Sequence, residues 1–171
     1  AMGPFWRNAN NFDCAVRFNA GLSTTMLIDW FEFTQDRAFF NETLMPFLTG
    51  VADFYHSYAL RSSNSSSGPL ELQRTCAQEM CQQRQAGTGG GGQTPTEDNS
   101  LSDLAYARMV IQKLRQYQNI SGQPLKQSWV ELENRLVDFP LVERAGFGTG
   151  WAEATMNGQP VSVRGALGNN D

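Results

Sequence analysis

The stretch LSDLAYARMVIQKLRQYQ, residues 101–118, decides the fold class. Leu101, Leu104, Ala107, Ile111, Leu114 and Tyr117 recur at the three- and four-residue spacing that lines one face of an α-helix. Asn99 or Ser100 is placed to cap that helix, and Asp103 completes a Ser-x-x-Asp box with Ser100. Downstream, Ser121-Gly122-Gln123-Pro124 reads as a turn. A further helix over residues 125–137 then carries Trp129, Leu132 and Leu136 inward until Phe139-Pro140 stops it. Helix, turn and helix make a hairpin.

A second hairpin lies upstream. Leu22, Met26, Trp30 and Phe33 recur at helical spacing over residues 21–33, and this stripe is read as core. Thr34-Gln35-Asp36 breaks the helix, and Asp36 is placed to cap a short turn over residues 37–40. The next helix runs to about residue 60, with Phe47, Leu48, Val51, Phe54, Tyr55 and Tyr58 forming a wide apolar stripe. Pro46 either kinks this helix or begins it in its first turn. His56 falls off the stripe and is expected on the surface.

The remaining segments connect or terminate. Residues 1–20 form an aromatic and amide-rich loop with Pro4, Phe5, Trp6, Arg7 and Asn8. Residues 61–99 hold a Ser/Asn-rich connection, a short extended piece at Leu70-Glu71-Leu72, and a glycine-rich loop over residues 85–93. That loop lacks the Lys-Ser/Thr pair of a phosphate cradle. In the tail, residues 139–171, Asn157-Gly158 between β-prone runs predicts a small hairpin. The expected organisation is one mainly α domain: loop 1–20, hairpin 21–60, loop 61–99, hairpin 100–138 and a β-like tail 139–171.

Composition excludes some classes. A length of 171 residues and 40% apolar content suffice for one core. The net charge of −4 carries no basic stripe, so a nucleic-acid partner is not expected. No apolar run reaches the roughly 20 residues of a membrane span, and no signal-peptide pattern opens the chain. Cys14, Cys76 and Cys81 are an odd count, which does not suggest a disulfide scaffold, and whether Cys76 and Cys81 pair is left open. With His56 the only histidine, zinc fits poorly, and no metal or cofactor is expected. Sequons at Asn41, Asn64 and Asn119 permit a secreted, glycosylated protein.

Three stretches, in order, resemble the catalytic domain of glycoside hydrolase family 95, the α-L-fucosidase and related six-hairpin enzymes. Asp29-Trp30-Phe31-Glu32-Phe33-Thr34-Gln35-Asp36 is similar to that family's "Tyr-x-Phe-Thr-Gly-Asp" helix end. Leu44-Met45-Pro46-Phe47-Leu48-Thr49-Gly50-Val51-Ala52-Asp53-Phe54 is similar to its "Tyr-Pro-x-Leu-Lys-Gly-Ala-Ala-x-Phe" helix. Thr96-Glu97-Asp98-Asn99-Ser100-Leu101 resembles its "Thr-Met-Asp-Asn-x-Leu" helix start. Between the last two the family carries a "Ser-Pro-Glu" loop, and this chain has Ala77-Gln78-Glu79, with Gln78 in place of Pro.

The resemblance implies helical hairpins from an (α/α)6 toroid. Because two hairpins cannot close one, the chain is expected to be part of a barrel whose remainder lies elsewhere. It implies an inverting glycosidase acting on an α-L-fucoside or related glycoside, with Glu79 as general acid. Such enzymes protonate the leaving oxygen with one group and activate water with another across roughly 6.5–9.5 Å. The water-activating residues lie outside the matched stretches, so these residues alone are expected to be inactive. Asp98 and Asn99 either line the sugar site, cap the helix, or both. Trp6, Arg7 and Asn8 suit sugar binding, an aromatic face stacking on the ring while Arg and Asn bond hydroxyls. The competing reading is a non-catalytic helical-repeat interaction or carbohydrate-binding module. The two hairpins share no self-similarity that would support a repeat.

Overall fold

The computed structural model describes residues 18–63, 67–73, 75, 97–144, 148–152, 154–156 and 158–161. The described part is mainly helical, with small antiparallel strand pairs near its C-terminal end. It divides into two compact units assembled from separated stretches. A helical unit takes residues 18–72 and 103–137; the described residues of 73–102 and 138–171 belong to the other.

In the helical unit, α1 (Phe18–Thr34) ends where Gln35 adopts a left-handed backbone, φ 56°, and its N–H donates to the Phe31 carbonyl. Asp36 then caps α2 (Arg37–Phe39), its carboxylate accepting from the Ala38 and Phe39 N–H groups at 2.9 and 3.1 Å. A π-helical turn (Phe40–Leu44) leads without a break into α3 (Met45–Ser62). Pro46 explains the join. Its ring would crowd the carbonyl four residues back, and it has no N–H to donate there. The wider turn, closed by the Met45 N–H on the Phe40 carbonyl, accommodates it in the first turn of α3.

The longest helix of this unit is α4 (Leu101–Ser121), whose last nineteen residues belong here; it buries Leu104, Ala107, Val110, Ile111, Leu114 and Tyr117, the face expected from its spacing. Gly122, at φ +68°, turns the chain toward α5 (Gln127–Arg135), and Trp129, Leu132 and the following Leu136 point inward. Leu70 pairs with Leu136 beside the end of α5, and Arg108 donates to the Leu136 and Val137 carbonyls at 3.1 and 2.8 Å. The Leu70 N–H donates to the Arg135 carbonyl at 2.7 Å, which the end of α5 leaves without a helical donor.

The core centres on three rings. Phe31 of α1 lies 4.6 Å from Phe40 of the π turn, and Tyr117 of α4 meets both edge-on at 5.5 and 5.4 Å. Leu44 at the end of the π turn and Leu48, Ala52 and Ala59 along α3 continue the core with no exposure.

The phase of α1 differs from the sequence expectation. Leu22, Met26, Trp30 and Phe33 are 43%, 69%, 56% and 91% exposed, while Gly21, Thr24, Ile28 and Phe31 face the core. This helix is apolar on two opposite faces, so spacing alone favoured the stripe with the larger side chains. Gly21 selects the other. A Cβ there would fall 2.7 Å from the Tyr106 Cγ and 3.1 Å from the Tyr55 hydroxyl, so only glycine lets α1 approach α4 this closely. Thr24 is tolerated inside because its hydroxyl donates to the Gly21 carbonyl at 2.5 Å. Gly21→Ala is therefore expected to destabilise the protein by about 1–3 kcal/mol, despite alanine's better helix propensity. A chemical-denaturation midpoint equal to or above wild type would contradict it.

His56 also departs from expectation. Its side chain is 14% exposed and its Nε2 lies 3.0 Å from Glu131 on α5, so it sits between helices rather than on the surface. Residues 53 and 56, one turn apart on the polar edge of the α3 stripe, both serve this seam. Asp53 accepts from the Trp129 indole at 2.6 Å and from Lys126 at 2.8 Å. Glu131 also pairs with Arg135, which donates to the Gly68 carbonyl. On the opposite side, Glu32 of α1 accepts from Lys113 at 2.6 Å and from the Tyr117 hydroxyl at 3.0 Å.

These contacts make the helical unit acid-sensitive. The Lys113 hydrogen bond holds Glu32 below the usual carboxylate range. Burial pushes Asp53 up, but the bonds from Lys126 and Trp129 outweigh it and leave Asp53 low. The His56 contact holds Glu131 low. A carboxylate depressed in the folded state contributes stability above its unfolded pKa and loses it as pH falls through the folded value. The melting temperature is thus expected to fall between about pH 5 and about pH 3, with a shallower fall in Glu32→Gln. A flat calorimetric profile across that range would contradict this.

The other unit holds the strands. β1 (Glu97–Asp98) pairs antiparallel with β4 (Ala154–Met156), which pairs with β5 (Gln159–Val161). Met156 faces Gln159 in register and Gly158 sits at φ +75°, which agrees with the small hairpin expected here; Asn157 lies outside the described residues. A second hairpin joins β2 (Leu141–Arg144) to β3 (Gly148–Trp151) and was not anticipated, its Leu-Val-Glu-Arg run being too short to show a period. Phe139 packs on Trp151 at 5.9 Å, and the Ala152 N–H donates to the Pro140 carbonyl.

Candidate functional site

Of the residues expected to carry chemistry, Asp98 and Asn99 are described. Trp6, Arg7, Asn8 and Glu79 lie outside the described residues, as do Cys14, Cys76, Cys81, Asn64 and the glycine-rich loop. Asp98 and Asn99 stand at one junction, where β1 ends and α4 begins.

The junction is built from the backbone upward. Asp98 is paired in register with Thr155 of β4. Asn99 then takes a left-handed conformation, φ 53°, with 7% exposure. This region costs most L-residues roughly 1–2 kcal/mol, and asparagine is among the few that tolerate it. The reversal swings the chain from strand to helix within Asn99 and Ser100. The Asn99 amide donates to the Thr155 hydroxyl at 3.5 Å, and that hydroxyl donates to the Asp98 carbonyl at 3.2 Å. The Ser100 N–H donates to the Thr75 hydroxyl at 3.1 Å, and Ser100 and Thr75 are both fully buried.

Thr155, Thr75 and Ser100 thus join the two predicted residues in one polar cluster. Thr155 had a signal in the sequence: the Asn-Gly loop fixes the register of β4, but nothing indicated that β4 would pair with residues 97–98. Thr75 comes from a segment without periodicity. Asn99, Ser100 and Thr75 are buried and their contacts hold the junction together, while Asp98 and Thr155 are partly exposed and offer a carboxylate and a hydroxyl at its surface. Among the described residues no group of His, Cys, Asp and Glu side chains could hold a metal ion, and no helix is long and apolar enough to cross a membrane.

The backbone at Asn99 supplies a direct test. Asn99→Gly is expected to leave stability within about 0.5 kcal/mol, because glycine adopts the left-handed region freely. Asn99→Val is expected to cost about 2 kcal/mol or more through strain at a β-branched residue. Equal melting temperatures for the two variants would contradict the conformation described.

No protein-family model, curated protein or solved structure gives a significant match to the chain.

Proposed function

We propose that the chain belongs to the catalytic domain of a glycoside hydrolase, an inverting, α-L-fucosidase-like enzyme on an (α/α)6 toroid. Glu79 is the general acid. Asp98 and Asn99 bond sugar hydroxyls, and the Trp6-Arg7-Asn8 loop stacks on and bonds the glycoside. The carrying observation is Asn99: buried and left-handed, in a polar cluster, at the helix start where the family resemblance puts Asp-Asn. Backbone strain of this kind concentrates at functional sites. The left-handed Gln35 is different, since its conformation simply ends α1.

The toroid reading draws on α1. A helix apolar on both faces is one that packs on both sides, as helices in a closed ring of hairpins do. In this reading a further helix of the barrel covers Leu22, Met26, Trp30 and Phe33. The same exposed face favours a second reading, a non-catalytic helical interaction module that docks another protein there.

Assays of the full-length protein separate the two. Hydrolysis of an aryl α-L-fucoside, or of another aryl glycoside in a panel, is expected to fall at least tenfold in Asn99→Gly with the fold retained. Absence of turnover on every glycoside tested would sink the hydrolase reading and favour the docking module.

A further inference from the structure

We propose that Asn41 is an attachment site for an N-linked glycan, carried outward on the π-helical turn. The turn Phe40–Leu44 contains the sequon Asn41-Glu42-Thr43 whole. Its two ends are core anchors, Phe40 at 1% and Leu44 at 0% exposure, while the three side chains between them are all exposed. Neither the Asn41 amide nor the Thr43 hydroxyl has a hydrogen-bond partner among the described residues.

Asparagine and threonine are both poor helix formers. Here they occupy a continuous helical run without capping it or packing in its core. Their use therefore lies outside the fold, and an acceptor asparagine with a free hydroxyl two residues on is the sequon requirement. The sequon at Asn119 differs. Asn119 is exposed, but the Ser121 hydroxyl donates to the Gln118 carbonyl at 3.4 Å and accepts from the Gln123 N–H at 3.3 Å, so it is built into the α4–α5 turn. A glycan at Asn41 leaves every described contact of the helical unit intact. It also adds a bulky solvated group to an exposed turn.

The chemistry is a glycosyl transfer from an oligosaccharide diphosphate supplied by the secretory pathway. The Asn41 Nδ2 forms a bond to the anomeric carbon. The bond from that carbon to the diphosphate oxygen breaks, the diphosphate leaves, and Nδ2 gives up one proton to the transferase. No electrons are exchanged.

The test uses full-length protein secreted from a eukaryotic cell. Peptide N-glycosidase in heavy-oxygen water converts glycosylated asparagine to labelled aspartate, which peptide mass spectrometry locates. Labelling is expected at Asn41, persisting in Thr43→Ser and falling to background in Thr43→Ala, with the melting temperature of deglycosylated Thr43→Ala unchanged. An unlabelled Asn41 in the secreted wild-type protein, or labelling that survives Thr43→Ala, would overturn the proposal.

Discussion

Phe31→Ala is expected to destabilise the protein by about 3–5 kcal/mol, a large share of the roughly 5–15 kcal/mol that holds a domain together. Phe31 is 1% exposed and touches both other members of the ring trio, Phe40 at 4.6 Å and Tyr117 at 5.5 Å. Truncation removes the transfer free energy of a buried ring and leaves a cavity among three helical segments that cannot all collapse into it. It also loosens Tyr117, whose hydroxyl donates to Glu32 next to Phe31 in sequence. In the 171-residue chain by itself, Phe33→Ala, at a position 91% exposed, is the control and is expected to fall within about 0.5 kcal/mol of wild type. Denaturant midpoints of the two variants check the phase of α1. A comparable loss at Phe33 in this chain would contradict that phase, whereas in the full-length protein the toroid proposal expects such a loss, because another element covers the outer face.

Glu79→Gln is the second large effect. If Glu79 is the general acid, its amide replacement keeps the shape and removes the proton, and turnover is expected to fall by about 10²–10⁴. Asp98 and Asn99 bond sugar hydroxyls without transferring a proton, so their variants are expected to lose less. Steady-state kinetics on the full-length protein check this, and a Glu79→Gln enzyme within threefold of wild type on an alkyl glycoside would contradict the role.

How much was legible in the sequence follows from how many solutions each pattern allowed. α4 has one apolar face, so Leu104, Ala107, Ile111, Leu114 and Tyr117 could be assigned to the core from spacing alone. The cap at Asp36 and the hairpin turn at Gly158 were equally direct, because few residue types serve those conformations. α1 has two apolar faces, and the choice between them turned on a steric contact between Gly21 and Tyr106 that links distant segments. His56 was misplaced for a related reason. Its burial depends on Glu131, a partner 75 residues away that no local pattern reveals. At the candidate site, the Asp98-Asn99 motif was visible as a helix start. Its tie to Thr155 was not, since a two-residue strand such as β1 has no period to detect.

The most direct measurement of the central claim is the leaving-group dependence of hydrolysis by the full-length protein and its Glu79→Gln variant. A general acid matters most when the departing oxygen is basic and least when it leaves readily as an anion. The variant is expected nearly to match wild type on dinitrophenyl glycosides and to fall at least a hundredfold behind on alkyl glycosides. A deficit that is uniform across leaving groups, or no hydrolysis of any of these glycosides by the wild-type protein, would contradict it.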